Sequence, residues 1–155
     1  ECKPTQVTLV PDAIGALTSN AGWDTITHKS YLTEVIQEFQ RNGIRTSIFV
    51  DADEKMIEGA KETGTERIEL YTESYAHEYG LGNEKGIEPF IKAAIKANEL
   101  ELGINAGHDL SLDNIKFFKE NIPNLLEVSI GHALISESLY LGLENVVNMY
   151  LQKLK

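Results

Sequence analysis

RIELY, residues 67–71, carries the decision between the folds open to this chain. Ile68 and Leu70 share one face while Arg67, Glu69 and Tyr71 share the other, because successive side chains of a strand point to opposite sides. Two later stretches repeat the pattern. ELGIN (101–105) sets Leu102 and Ile104 against Glu101, Gly103 and Asn105, and LEVSIG (126–131) sets Val128 and Ile130 against Glu127, Ser129 and Gly131. A parallel strand covered by helices on both faces reads as a continuous apolar run. A strand with one polar face suits the wall of a barrel that narrows into an active site, and the polar face is then the lumen.

Outward from these strands, helix and strand signals alternate. VTLV (7–10) opens the series and a loop of small residues follows. Ser30 can N-cap a helix that buries Leu32, Val35, Ile36 and Phe39 and stops at Gly43. RTSIFV (45–50) is a strand, and Asp51 or Asp53 caps a helix carrying Met56, Ile57 and Ala60 and ending at Gly64. After RIELY, a polar loop through His77 and Gly82 leads to a helix with Ile87, Phe90, Ile91, Ala94 and Ile95 at helical spacing and Pro89 in its first turn. Ser111 caps a helix with Ile115 and Phe118, Pro123 ends it, and a closing helix carries Leu139, Leu143, Val146, Val147 and Tyr150. Such alternation calls for a parallel sheet with right-handed crossovers. The expectation is an α/β fold, a (β/α)₈ TIM barrel of which residues 1–155, a single domain, supply about five βα units as strands 4 to 8. About three units are expected upstream of Glu1.

Composition narrows the functional classes. A net charge of −10 with no block of lysines or arginines disfavours nucleic acid as a partner. No apolar run approaches the roughly 18 residues of a membrane span, and the start, ECKPTQVTLV, lacks the order of a signal peptide. The single Cys2 permits no internal disulfide, which fits a reducing compartment. The expectation is a cytoplasmic protein.

Chemistry concentrates at two strand ends. GINAGHDLSLDN (103–114) places His108 in a βα loop, and SIGHALI (129–135) places Gly131 and His132 before the last helix. Barrel enzymes hold their chemistry at the carboxyl ends of the strands, and the last two βα loops often bind phosphate. Gly107 lets backbone approach a ligand, and helix starts offer free N–H groups to an anion. A phosphorylated small-molecule substrate follows. Plainer readings stand beside these. Glu69 could pair with Arg67 or a lumen lysine, and His132 could contribute only its backbone. His28 and His77 read as exposed or hydrogen-bonded loop residues, and the Asp51–Asp53 pair reads as a helix cap. The histidines lack metal-ligand spacing, so no metal is expected. Neither GxGxxG nor a P-loop occurs, so no nucleotide is indicated.

The ordered set LVPD (9–12), LTSNAGWD (17–24), FVDADE (49–54), IELYT (68–72), INAGHDL (104–110) and SIGHALI (129–135) resembles the carboxyl-terminal three-fifths of the pyridoxine 5′-phosphate synthases, barrel enzymes of vitamin B6 synthesis. The resemblance covers essentially the whole chain. It implies a transferase that condenses 1-deoxy-D-xylulose 5-phosphate with 3-amino-2-oxopropyl phosphate, without a cofactor, in a homo-octamer built from dimers. By matching position it implies that His108 is the proton donor, Glu69 the transition-state stabiliser and Thr18 a contact to the deoxyxylulose phosphate. Asp109, Gly131 and His132 fall where the phosphate of the aminoketone binds. An imidazole near its own pKa suits the repeated proton transfers of such a condensation.

The chain also departs from the family pattern. The family's upstream Asn-x-Asp-His and His-x-Arg strand ends and its catalytic glutamate have no counterpart in these residues, so the 155-residue piece alone is expected to be inactive. Ala13 and Ile14 stand where the family carries basic residues, and Asp109 where glycine is frequent. A carboxylate beside a phosphate is repulsive, so Asp109 is expected to act through its backbone N–H or not at all. Two alternatives stay open: another phosphosugar barrel of the aldolase or epimerase type, and an inactive fragment with only a folding or association role.

Overall fold

The computed structural model describes residues 3–12 and 15–155. Cys2, Ala13 and Ile14 lie outside the described residues. Five strands, β1 (Gln6–Leu9), β2 (Arg45–Val50), β3 (Arg67–Tyr71), β4 (Gly103–Gly107) and β5 (Leu125–Ser129), form one sheet in the order β1-β2-β3-β4-β5. All four pairings are parallel. A doubly wound sheet reverses its strand order to place helices on both faces. An unreversed order with right-handed crossovers keeps every helix on one face.

The helices on that face are α1 (Lys29–Arg41), α2 (Glu54–Glu62), α3 (Glu73–Gly80), α4 (Glu88–Glu99), α5 (Ile115–Asn121), α6 (His132–Leu141) and α7 (Leu143–Lys153). Ile48, Val50, Ile68, Leu70, Ile104 and Ala106 meet Leu32, Ile36, Ile57, Phe90, Ala94 and Phe118 in one buried cluster. Each of the large aliphatic side chains contributes about 1.5–3 kcal/mol by leaving water.

The opposite face carries Gln6, Thr8, Arg45, Arg67, Glu69, Asn105 and Glu127, and its contacts show that the sheet curls. Gln6 on the first strand donates to Glu127 on the last at 3.4 Å. Four strand spacings of about 4.8 Å would separate those strands by about 19 Å in a flat sheet, more than the two side chains can bridge. A curled, singly wound parallel sheet with a polar concave face is consistent with part of a (β/α)₈ barrel.

Several elements differ from the sequence expectation. Helix α1 starts at Lys29 with His28 at its N-cap and no side-chain cap. Ser30 lies inside the helix, because Asp24 has already opened the preceding turn by accepting from the N–H groups of Ile26 and Thr27 at 3.1 and 2.8 Å. Asp53 does cap α2, accepting from Lys55 and Met56. His77 sits in helix α3 rather than in a loop. That helix forms because Tyr75 and Tyr79, one turn apart, pack on Phe90, Phe117 and Phe118. Helix α5 starts at Ile115, with Asn114 at its N-cap, so Ser111 opens the preceding turn instead of capping the helix.

The closing helix is two helices. Gly142 at φ 84° interrupts it, a left-handed angle that glycine adopts without steric cost. Of the apolar residues placed on it, Val146 and Tyr150 are buried, whereas Leu139, Leu143 and Val147 are exposed.

Candidate active site

A cavity of about 480 Å³ opens at the carboxyl ends of β4 and β5. Thr18, His108, Asp109, Leu110, Ser129 and the segment Ile130–Ala133 line it. Five of the six site residues expected from the sequence, Thr18, His108, Asp109, Gly131 and His132, therefore share one wall-to-wall space. None of the lining residues is Lys or Arg. An anion there would meet the start of α6, where Gly131 is the N-cap and His132 the first helical residue.

His108 is held at both ring nitrogens. Nε2 lies 3.0 Å from Thr18 Oγ1 and Nδ1 lies 2.9 Å from Asp109 Oδ2. Tyr71 meets the imidazole edge-to-face, with ring centroids 4.9 Å apart at 84°. The backbone beneath is unusual, since His108 at φ 81° and Asp109 at φ 58° are consecutive left-handed residues. Such angles are uncommon outside glycine, though His, Asn and Asp tolerate them best.

Two buried residues that sequence reasoning missed hold this turn. Thr72 follows β3 directly. Its N–H and hydroxyl donate to the Gly107 carbonyl at 3.1 and 2.8 Å, and its hydroxyl also reaches the His108 carbonyl. Asn114 donates to the Asp109 carbonyl at 3.1 Å and accepts from the Ser111 N–H at 2.9 Å. Neither carries a sequence signal beyond its place at the end of a strand or the start of a helix.

Glu69, the sixth expected residue, lies outside the cavity lining and beneath it. It is 7% exposed and accepts from Thr8 Oγ1 at 2.9 Å. The hydroxyl of Ser129, which lines the cavity, favours its ionised form. Burial pushes the Glu69 carboxyl above its ordinary value of 4.5, the two hydroxyls pull it down, and the charge of Glu127 raises it further. The pairing with Arg67 that the sequence left open does not form: Arg67 Nη1 lies 2.7 Å from Glu127 and 3.1 Å from Asn105. Among the described residues Glu69 makes no ion pair.

Gly107 has a different neighbour from the one expected. A Cβ there would stand 2.6 Å from Glu69 Oε1 and 2.9 Å from the Ser129 carbonyl oxygen. The missing side chain makes room for Glu69 rather than for a ligand in the open cavity. Asp109 turns its carboxylate onto His108 Nδ1.

The chain is thus an α/β protein whose curled parallel sheet is consistent with part of a barrel, with an imidazole hydrogen-bonded at both nitrogens at the strand ends and a buried carboxylate below. The model of the family described as "pyridoxal phosphate biosynthesis protein PdxJ" matches residues 1–155. The chain belongs to that family. It is similar to the pyridoxine 5′-phosphate synthases of Flavobacterium johnsoniae (79% identical over 155 residues), Christiangramia forsetii (65% over 155) and Porphyromonas gingivalis (53% over 154). These alignments cover 99–100% of this chain and 65% of each relative, so the chain spans about two-thirds of their length. Within the described residues no helix is long and apolar enough to cross a membrane.

Proposed function

We propose that the full-length protein carrying these residues is a pyridoxine 5′-phosphate synthase, condensing 1-deoxy-D-xylulose 5-phosphate with 3-amino-2-oxopropyl phosphate to pyridoxine 5′-phosphate, phosphate and water. In this reading β1 to β5 are strands 4 to 8 of the barrel. His108 is the proton donor, and Thr18 contacts the deoxyxylulose phosphate. The N–H groups of Asp109, Gly131 and His132 bind the phosphate of the aminoketone, which suits a cavity without a lysine or arginine in its wall. Glu69 stabilises positive charge that develops as the ring closes. The protein works in the cytoplasm as a homo-oligomer, an octamer by family resemblance, and the 155 residues alone are inactive.

The observation that carries the reading is the double anchoring of His108 on the rim of this cavity. An imidazole fixed in position on the wall of a cavity, with a hydroxyl that also lines the cavity at its Nε2, is suited to general acid–base work. The test is His108→Ala in the full-length protein, measured by steady-state turnover and by equilibrium binding of each substrate. A fall in kcat of about 10²–10⁴-fold, with much smaller changes in binding, is expected. Wild-type turnover in that variant would overturn the reading.

A further inference from the structure

We propose that Asp109 is a positioning residue that decides which nitrogen of His108 carries the hydrogen, and that Thr18 relays protons between His108 and the substrate. The proposal rests on the reading of His108 as the proton donor. An ionised carboxylate accepts hydrogen bonds and donates none. With Asp109 Oδ2 at 2.9 Å, Nδ1 is therefore the protonated nitrogen of the neutral ring. The lone pair then sits on Nε2, 3.0 Å from the hydroxyl of Thr18, which donates to it.

The proton steps balance in both directions. When a proton is taken up, the Thr18 O–H passes to Nε2 while the oxygen receives the substrate's proton, leaving an imidazolium with both nitrogens protonated. Giving it back reverses both transfers. The Nε2 lone pair becomes the new N–H bond and is restored when the proton leaves, and Nδ1–H stays on the ring, donating to Asp109, throughout. The arrangement has the logic of a Ser-His-Asp triad, in which the carboxylate holds the tautomer and orientation without itself being protonated.

The backbone does not by itself call for a carboxylate at position 109. At φ 58° a glycine or an asparagine fits as well as aspartate. What distinguishes aspartate there is its contact with Nδ1. The face of the ring is fixed independently by Tyr71, so Asp109 sets the ring's proton and Tyr71 its plane.

The test uses full-length protein labelled with ¹⁵N-histidine, with the His108 signals assigned by their loss in His108→Asn. Two-bond ¹H–¹⁵N correlations should show the Nδ1–H form of neutral His108 in the wild type. In Asp109→Gly, which relaxes rather than strains the backbone, that preference should be lost. Its kcat should fall about 10–100-fold, the scale of one hydrogen bond to a charged group, with KM for both substrates within about threefold of wild type. Asp109→Asn keeps an oxygen for Nδ1–H and should recover the tautomer and part of the rate. A wild-type ring protonated on Nε2, or an Asp109→Gly protein with unchanged tautomer or unchanged kcat, would overturn the proposal. Full activity in His108→Ala would instead overturn the reading beneath it, while the tautomer measurement would still report on Asp109.

Discussion

Replacing Glu69 by glutamine separates chemistry from stability at the buried carboxylate. Glutamine keeps the shape and two hydrogen-bonding atoms while removing the charge. Its carbonyl oxygen can accept from Thr8, and the Ser129 hydroxyl can rotate to accept from its amide. The charge-assisted hydrogen bond from Thr8 thus becomes a neutral one, a loss of about 1 kcal/mol. Against this, a carboxylate with no ion-pair partner among the described residues no longer has to be buried ionised. The terms oppose, so the net change should lie within about 1 kcal/mol, or roughly 2–4 °C in Tm for a chain of this size. The pH dependence fixes the sign. Because burial raises the folded-state value above 4.5, the wild type holds its full stability below 4.5 and loses part of it as pH rises through the folded value. The variant has no such loss, so its Tm relative to wild type should rise from pH 4.5 toward neutrality. Loss of a preorganised charge near the reacting atoms should lower the single-turnover rate about 10²–10³-fold. Thermal unfolding across pH and single-turnover kinetics on the full-length protein give both quantities. A near-normal rate with a Tm depressed by more than about 10 °C would refute the reasoning, since removing one partner of a buried ion pair costs about 3–5 kcal/mol.

Gly107→Ala should reduce both Tm and kcat, because the new Cβ meets a backbone oxygen of Ser129 at 2.9 Å as well as the Glu69 carboxylate, and overpacking of this kind costs about 1–3 kcal/mol. Gly103→Ala, whose Cβ would first meet the side chains of Arg67 and Leu126, should leave kcat near wild type, and circular dichroism melting with turnover assays distinguishes the two. Thr72→Val should destabilise the protein by about 1–3 kcal/mol, because it removes the hydroxyl from the His108 carbonyl and leaves the Gly107 carbonyl with the backbone N–H alone, and Thr72→Ser should restore both melting temperature and rate.

The sheet was legible because its signal is local and periodic. In RIELY the residue faces follow from alternation alone, and the observed strand is Arg67–Tyr71. The cavity was legible at His108 and Gly131–His132 because strand ends in parallel α/β folds collect loops on one side of the sheet. What stayed hidden depends on contacts between distant segments. Helix α3 has a polar sequence, ESYAHEYG, and only its packing on Phe90, Phe117 and Phe118 shows that it is a helix. Thr72 earns its place from carbonyls 35 and 36 residues away. The break at Gly142 was readable in principle, but the apolar residues on both sides continue a helical spacing across it.

The same limit explains why Arg67 and Glu69 looked like partners and are not. Both project from β3 into the concave face, two residues and so about 6.6 Å apart along the strand. Curling the sheet brings Gln6, Arg45, Arg67, Asn105 and Glu127 into one layer, where Glu127 lies 2.7 Å from Arg67 and 3.1 Å from Arg45. Both arginines of the concave face are occupied there. The layer nearer the strand ends holds Thr8, Glu69 and Ser129, in which the Thr8 hydroxyl is the hydrogen-bond partner of the carboxylate among the described residues. Each of the two β4 glycines sits beside one of these charges, Gly103 against the Arg67 stem and Gly107 against Glu69. The ion-pair layer therefore joins the first and last strands of the curled sheet and takes up its cations. That leaves Glu69 as a buried carboxylate beneath the cavity with no ion-pair partner among the described residues.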